Sequence, residues 1–147
     1  MSQYGTFEGD VVARWLTHGG DDRDMKLMQN FAFTGPDMKR WVAPKGSVVN
    51  GASIPAALWS TVGPPFVGDY RRATVIHDVA CEEKTEPHDE VHRAFYYAMR
   101  ADGVGWLKAN TMYQAVKQLG QGGISTPAWR RRSARPVSPR WSRSSKQ

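Results

Sequence analysis

The residues with the greatest chemical potential lie in one stretch, from Ala73 to Gly103. Three of the four histidines are here, His77, His88 and His92, together with the single cysteine. His77 is followed directly by Asp78, and His88 and His92 are four positions apart. Imidazoles beside carboxylates bind metals, activate water or hydrogen-bond to each other. These side chains are therefore the candidates for a functional site.

Apolar spacing places the candidates on two helices. The first is predicted from about Tyr70 to Cys81 with Asp69 as its N-cap, and the second from Thr85 or Glu86 to about Ala101. A short polar link joins them, so we expect the two helices to pack antiparallel. The apolar stripes that predict them are Ala73, Ile76 and Ala80 on the first, and Val91, Phe95 and Met99 on the second.

The residues before this pair are predicted to form a small β region. Val11–Leu16 is a short strand, and the extended runs 25–34 and 38–43 flank Gly35-Pro36-Asp37, which predicts a hairpin. Ser53 is predicted to cap a short helix over Ala56–Thr61.

A further helix is predicted over Trp106–Leu119, ending at Gly120. The predicted fold class is thus α+β: a small N-terminal β-hairpin region followed by about three helices. We assign residues 1–120 to this single domain and residues 121–147 to a flexible basic tail.

Bulk composition limits the class of protein. A length of 147 residues suits one modest core. No apolar run approaches the roughly 18 residues that span a bilayer, and the N-terminal residues do not read as a secretory signal. One cysteine excludes an internal disulfide and a cysteine-based zinc cluster. Synthesis in a reducing cytoplasm is predicted.

The basic charge belongs to the tail. The formal net charge is +6, but the segment from Ala128 to Gln147 contains seven basic residues and no acidic residue. The remaining 13 basic and 14 acidic residues nearly cancel. Arginine and tryptophan together suit either phosphate and base contacts or docking on an acidic protein surface. The tail residues predicted to bind a partner are Trp129, Arg130, Arg131, Arg132, Arg135, Arg140, Trp141 and Arg143.

The histidine spacing alone admits several kinds of chemistry. His88 and His92 share a helix face, as in a zinc peptidase, but Asp89 stands where that motif has a glutamate. His77, Asp78 and His92 together offer nitrogen and oxygen ligands that zinc or another divalent ion accepts. A partly buried histidine satisfied by a neighbouring carboxylate is the simpler explanation of His77 taken alone.

The chain from about Trp41 to Gly120 resembles the domain-of-unknown-function 1353 family, which occurs largely in phages and prophages. The segments that carry the resemblance are 42–46, 50–55, 73–78, 91–99 and 112–120, in that order. The resemblance implies a phage-related origin. It predicts incorporation in a virion, with other virion proteins as partners and an oligomeric assembly.

The helix pair is also similar to secreted phospholipases of the A₂ type. That likeness implies His77 as the general base for a water, Asp78 as a calcium ligand and the segment Asn50–Pro55 as a candidate calcium loop. Two positions depart from the pattern: His92 stands where a carboxylate orients the base, and Cys81 stands where a tyrosine supports it.

Two functions therefore stand side by side. The first is a virion or tail-associated assembly protein that docks through its basic arm, with nucleic acid as a second possible partner of that arm. The second is a calcium- or zinc-dependent hydrolase of a lipid or cell-envelope ester, with His77 and His92 as catalytic residues and Asp78, His77 and His92 as metal ligands.

Overall fold

The computed structural model describes residues 2–17, 24–51, 53–63 and 68–121. They form two three-stranded antiparallel sheets followed by four helices, which confirms the α+β class. The strands are β1 (Thr6–Glu8), β2 (Ala13–Trp15), β3 (Met25–Leu27), β4 (Phe31–Thr34), β5 (Arg40–Ala43) and β6 (Val48–Val49). The helices are α1 (Ala56–Val62), α2 (Arg71–Glu83), α3 (His88–Ala101) and α4 (Trp106–Gln121).

The hairpin predicted around Gly35-Pro36-Asp37 is confirmed as β4 and β5, with Phe33 opposite Trp41. β1 completes this first sheet in the order β1-β4-β5. The run 25–34 is not one strand, because β3 separates from β4 and joins a second sheet in the order β2-β3-β6. The chain therefore changes sheet between Leu27 and Phe31.

The two central helices pack antiparallel, as predicted. Arg72, in the first turn of α2, binds Asp102 just beyond the end of α3. His77, in the middle of α2, contacts His92 near the start of α3. The contacts therefore run in opposite directions along the two helices. The Arg72 guanidinium also stacks 4.2 Å from the centroid of the Phe7 ring, which ties β1 to the pair.

The hydrophobic core lies between the sheets and the helix pair. Phe31, Phe33 and Leu27 enter it from the strands, and Phe95, Met99 and Met112 enter it from the helices. Full burial of one such side chain contributes about 1.5–3 kcal/mol to folding. No helix formed by the described residues is long and apolar enough to cross a membrane.

Several helix ends differ from prediction. α2 continues past Cys81 to Glu83, and α3 begins at His88 instead of Thr85 or Glu86, with Pro87 as its N-cap. Tyr70, not Asp69, is the N-cap of α2, because the Asp69 carboxylate accepts a hydrogen bond from Lys108 Nζ at 2.8 Å. Ser53 does not cap α1, whose N-cap is Pro55. Gly120 does not end α4, which continues to Gln121. The described residues form four helices instead of about three, because the short segment before the helix pair is itself a seven-residue helix, α1.

The basic tail lies outside the described residues. The predicted partner-binding residues from Trp129 to Arg143 therefore remain a prediction, as does the division of the chain at residue 120.

Candidate functional site

His77 and His92 meet between the two central helices. His77 Nε2 lies 3.0 Å from His92 Nδ1, and the two ring centroids are 5.3 Å apart. Both side chains are buried, with 1% of His77 and 5% of His92 exposed. The antiparallel packing of α2 and α3 creates this contact across 15 positions of sequence. His92, from the neighbouring helix, is thus in hydrogen-bonding contact with Nε2 of His77.

The other face of the site is the loop that follows β6. Ser53 Oγ lies 3.0 Å from His77 Nδ1, so both ring nitrogens of His77 have a partner within the protein. The Ser53 hydroxyl also contacts the Asp78 carboxylate. A continuous hydrogen-bonded line therefore runs from Asp78 through Ser53 and His77 to His92.

The Asp78 carboxylate holds this loop. Its oxygens accept hydrogen bonds from the backbone N–H of Gly51 at 2.6 Å, of Asn50 at 3.1 Å and of Ser53 at 3.3 Å, and from the Ser53 hydroxyl. Asp78 is only 8% exposed. A buried carboxylate needs such donors, because an unpaired buried charge is strongly destabilising.

These partners determine where the protons lie. The Ser53 hydroxyl has one proton, and the Asp78 carboxylate can only accept, so Ser53 donates to Asp78. His77 Nδ1–H then donates to Ser53 Oγ, which leaves His77 Nε2 as the acceptor of a hydrogen bond from His92 Nδ1–H. In this state neither nitrogen of His77 is available to take a proton from water.

Burial keeps both histidines neutral. Burial, with smaller contributions from the nearby His92 and His88, lowers the pKa of His77 to about 3. Burial and the neighbouring His88 likewise lower the pKa of His92. For Asp78, burial raises the pKa, while the hydrogen bonds from Ser53, Gly51 and Asn50 oppose that rise.

Cys81 and Phe95 enclose the His77 ring. Cys81 Sγ lies 3.7 Å from His77 Nε2 and 3.9 Å from Nδ1, while the Phe95 ring centroid is 4.6 Å from that of His77. Burial raises the pKa of the Cys81 thiol to about 12, so the thiol stays protonated. Cys81, which stands where the predicted phospholipase-like pattern has a supporting tyrosine, therefore packs a neutral thiol against the imidazole of His77.

His88 lies at the solvent end of the line. It is exposed, and its ring centroid is 5.9 Å from that of His92. The predicted sharing of a helix face by His88 and His92 thus holds. The exposed His88 ring is therefore a neighbour of the buried His77–His92 contact on its surface side.

The donor set around Asp78 does not fit a calcium ion in this conformation. Calcium takes oxygen ligands, whereas the carboxylate faces three N–H groups and a hydroxyl that a cation would have to displace. Within the part of the chain that the structure describes, no three His, Cys, Asp or Glu side chains are grouped to hold a metal ion. Calcium or zinc binding remains a prediction.

The segment Asn50–Pro55 lies at the site, but with a different chemistry from that predicted. It presents N–H groups to Asp78 instead of carbonyl oxygens to a cation. Ser53, predicted only as a helix cap, is the residue that sequence reasoning missed. A buried Asp in need of donors and an Asn-Gly turn beside a serine are the signals that suggest such a loop.

Comparison with known proteins gives a family model and two relatives. The model described as "Protein of unknown function (DUF1353)" matches residues 25–116. The chain is similar to the uncharacterized protein y4jT of Sinorhizobium fredii, with 42% identity over 118 residues, which cover 80% of this chain and 34% of that protein. It is also similar to the uncharacterized protein y4iH of the same organism, with 36% identity over 101 residues.

The second match covers 69% of this chain and 42% of y4iH. The chain thus spans between a third and a half of the length of these relatives. No solved structure matches it.

Proposed function

The chain belongs to the DUF1353 family of proteins of unknown function, and on that premise we propose that it acts in the assembly of a phage particle. In this role it is a virion or tail-associated component that docks on partner proteins through its basic C-terminal arm. The phage context comes from the family resemblance. The matched region forms part of two longer relatives, and this supports its use as a module within larger assemblies.

The observation that carries the proposal is the closed state of the His-Asp site. His77 is 1% exposed, and each of its ring nitrogens has a hydrogen-bonding partner inside the protein. A general base must reach the proton that it removes, directly or through one water. A histidine that is neutral, buried and bonded on both sides instead links α2, α3 and the loop after β6. This supports an architectural role for the site.

We expect the tail to be needed for incorporation and not for folding. Particles purified from the strain that carries the coding sequence should contain the full chain, detected by mass spectrometry, and should lack a variant that ends at residue 127. The thermal unfolding midpoint of the shortened variant should match that of the full chain, because the core lies within the described residues. Absence of the full chain from purified particles would sink the proposal.

A second candidate function has one observation in its favour. The order Ser53, His77, His92, with successive contacts of 3.0 Å, is the arrangement of a hydroxyl, a base and an orienting group. Hydrolysis would require the loop at Ser53 to move so that water or an ester reaches His77 Nδ1, and the ring proton to shift from Nδ1 to Nε2, where it would be donated to His92 Nδ1. The proposed substrates are a lipid or a cell-envelope ester, with calcium or zinc as the cofactor.

An ester assay separates the two functions. The substrates are a short-chain nitrophenyl ester and phosphatidylcholine vesicles, each assayed with calcium, with zinc and with a chelator. We expect the parent chain to hydrolyse neither substrate faster than a His77→Ala variant does. The paired variant His88→Ala controls for loss of an exposed histidine. Turnover that depends on a metal and disappears only in His77→Ala would establish the hydrolase in place of the assembly role.

A further inference from the structure

The second sheet has an open edge at β2. Met28 N–H donates to the Val12 carbonyl at 2.8 Å, and Leu16 N–H donates to the Asp24 carbonyl at 2.9 Å. Because bonded pairs alternate along antiparallel strands, Arg14 is the residue between them that also bonds to β3. The N–H and C=O groups of Ala13 and Trp15 therefore point away from β3. No described strand pairs with this side of β2.

A groove of about 500 Å³ lies directly beside this edge. The inner face of the sheet forms one wall through Trp15 and Met25, and α2 forms the other through Val75. Trp15 is 60% exposed, and the lining combines apolar residues with the charged residues Asp10, Arg71 and Arg72. A volume of this size accommodates several side chains of an extended peptide, whose alternate residues would enter it.

Positive charge flanks the open edge on both faces of the sheet. On the outer face, Arg14 stands directly opposite Lys26, and both are exposed. Like charges in directly opposed positions destabilise a sheet, and neither residue has an ion pair with a described residue. On the groove side, Arg71 lines the wall contributed by α2, with Asp10 as the acidic residue of the lining. Among the described residues the charges of Arg14 and Lys26 are therefore not compensated, which favours an acidic occupant.

Two occupants from this chain are disfavoured. A second copy paired through the same edge would place Arg14 opposite Arg14 of that copy, because Ala13 would pair with Trp15 across the two-fold axis. The basic tail offers seven positive charges and no negative charge to an edge that is already positive.

We propose that β2 accepts an extended, acidic segment of a partner protein as a fourth strand of this sheet. The segment bonds to the backbone groups of Ala13 and Trp15, places apolar side chains in the groove, and sets acidic side chains beside Arg14 and Arg71. This inference deepens the proposed docking role by naming a second contact surface and the chemistry of its partner. Apart from a control on α3, its test changes only residues of β2 and β3 and leaves the tail intact, so each proposal can fail separately.

The test measures the binding of labelled peptides to the full chain by fluorescence anisotropy. One capped octapeptide alternates valine and glutamate, and its counterpart alternates valine and lysine. We expect the glutamate peptide to bind, and Ala13→Pro to weaken this binding by about tenfold, the effect of one lost hydrogen bond. Ala13→Pro should keep the circular dichroism spectrum and melting temperature of the parent, because its N–H does not bond to β3.

Charge reversal makes the test specific. The double variant Arg14→Glu, Lys26→Glu should prefer the lysine peptide, while Arg93→Glu, which changes an exposed charge on α3, should keep the preference of the parent. Equal binding of both peptides by the parent chain, or no binding of the glutamate peptide, overturns the proposal. A dimer of the parent chain in sedimentation velocity that Ala13→Pro abolishes also overturns it, in favour of a second copy.

Discussion

We expect replacement of Asp78 by alanine to lower the free energy of unfolding by about 3–4 kcal/mol. Several hydrogen-bond donors lose their acceptor in this variant, and each donor that stays buried without a partner costs about 1–3 kcal/mol. The donors are the backbone N–H groups of Asn50, Gly51 and Ser53 and the Ser53 hydroxyl. Urea denaturation followed by tryptophan fluorescence measures the loss. The loop after β6 should also lose its protection from hydrogen exchange.

Two variants provide the comparison. Asp78→Asn keeps one acceptor oxygen and should lie between the parent and Asp78→Ala. Asp89→Ala removes an exposed carboxylate from the first turn of α3 and should cost less than about 1 kcal/mol. Binding of an ion to the native state stabilises it. The anchoring role would therefore be refuted if calcium raised the melting temperature of the parent and Asp78→Ala differed from the parent only in lacking this rise.

The second large effect is a loss of stability on acidification. The pKa of His77 in the folded protein is about 3, and that of His92 is also lowered, against 6.5 for an ordinary histidine. As the pH falls below about 6.5, the unfolded chain takes up protons that the folded protein excludes. The free energy of unfolding should therefore fall by about 1.4 kcal/mol per pH unit for His77, and the lowered pKa of His92 adds to this fall. For His77 this continues to a pH of about 3.

Asp78 acts in the opposite direction. Its raised pKa means that the folded protein binds this proton more readily than the unfolded chain does. Its contribution favours folding below pH 3.8 and is lost as the pH rises through its folded pKa. At pH values between that pKa and 6.5, the two histidines alone determine this part of the slope.

Single-histidine variants isolate the effect. The slope of unfolding free energy against pH, measured in urea between pH 5 and pH 7.5, should be shallower for His92→Gln than for the parent, because the buried imidazole of the parent has a lowered pKa. His88→Gln is the matched control at an exposed position of the same helix. Equal slopes in the parent, His92→Gln and His88→Gln would mean that the buried pair does not titrate as the geometry requires.

The secondary structure followed from local sequence patterns. The apolar repeats on α2 and α3, the Gly35-Pro36-Asp37 turn and the polar link between the helices are signals carried by neighbours in the chain. They predicted the α+β class, the hairpin of β4 and β5 and the antiparallel helix pair. Helix ends were less well predicted at Asp69, where a distant lysine on α4 competes for the capping carboxylate.

The site was predicted only in part. Residue types and adjacency in α2 singled out His77 and Asp78, and the phospholipase-like pattern placed His92 near His77. The hydrogen bonds of the site join residues that are 15 to 28 positions apart in the sequence. Such hydrogen bonds depend on how the loop after β6 packs against α2 and how α2 packs against α3. The residue types alone left Asp78 equally suited to a cation and to backbone donors. Only the tertiary structure placed the N–H groups of Asn50, Gly51 and Ser53 against it.

The sequence by itself determined which groups are available: three histidines, an aspartate next to one of them and one thiol on a helix pair, and a basic tail apart from them. The tertiary structure decided what those groups do in the folded state. Packing removes His77 and Asp78 from water, and desolvation then requires every polar atom to find a partner within the protein. That requirement, which depends on burial and not on residue type, turns a candidate base and metal ligand into a neutral, fully bonded link between α2, α3 and the loop after β6.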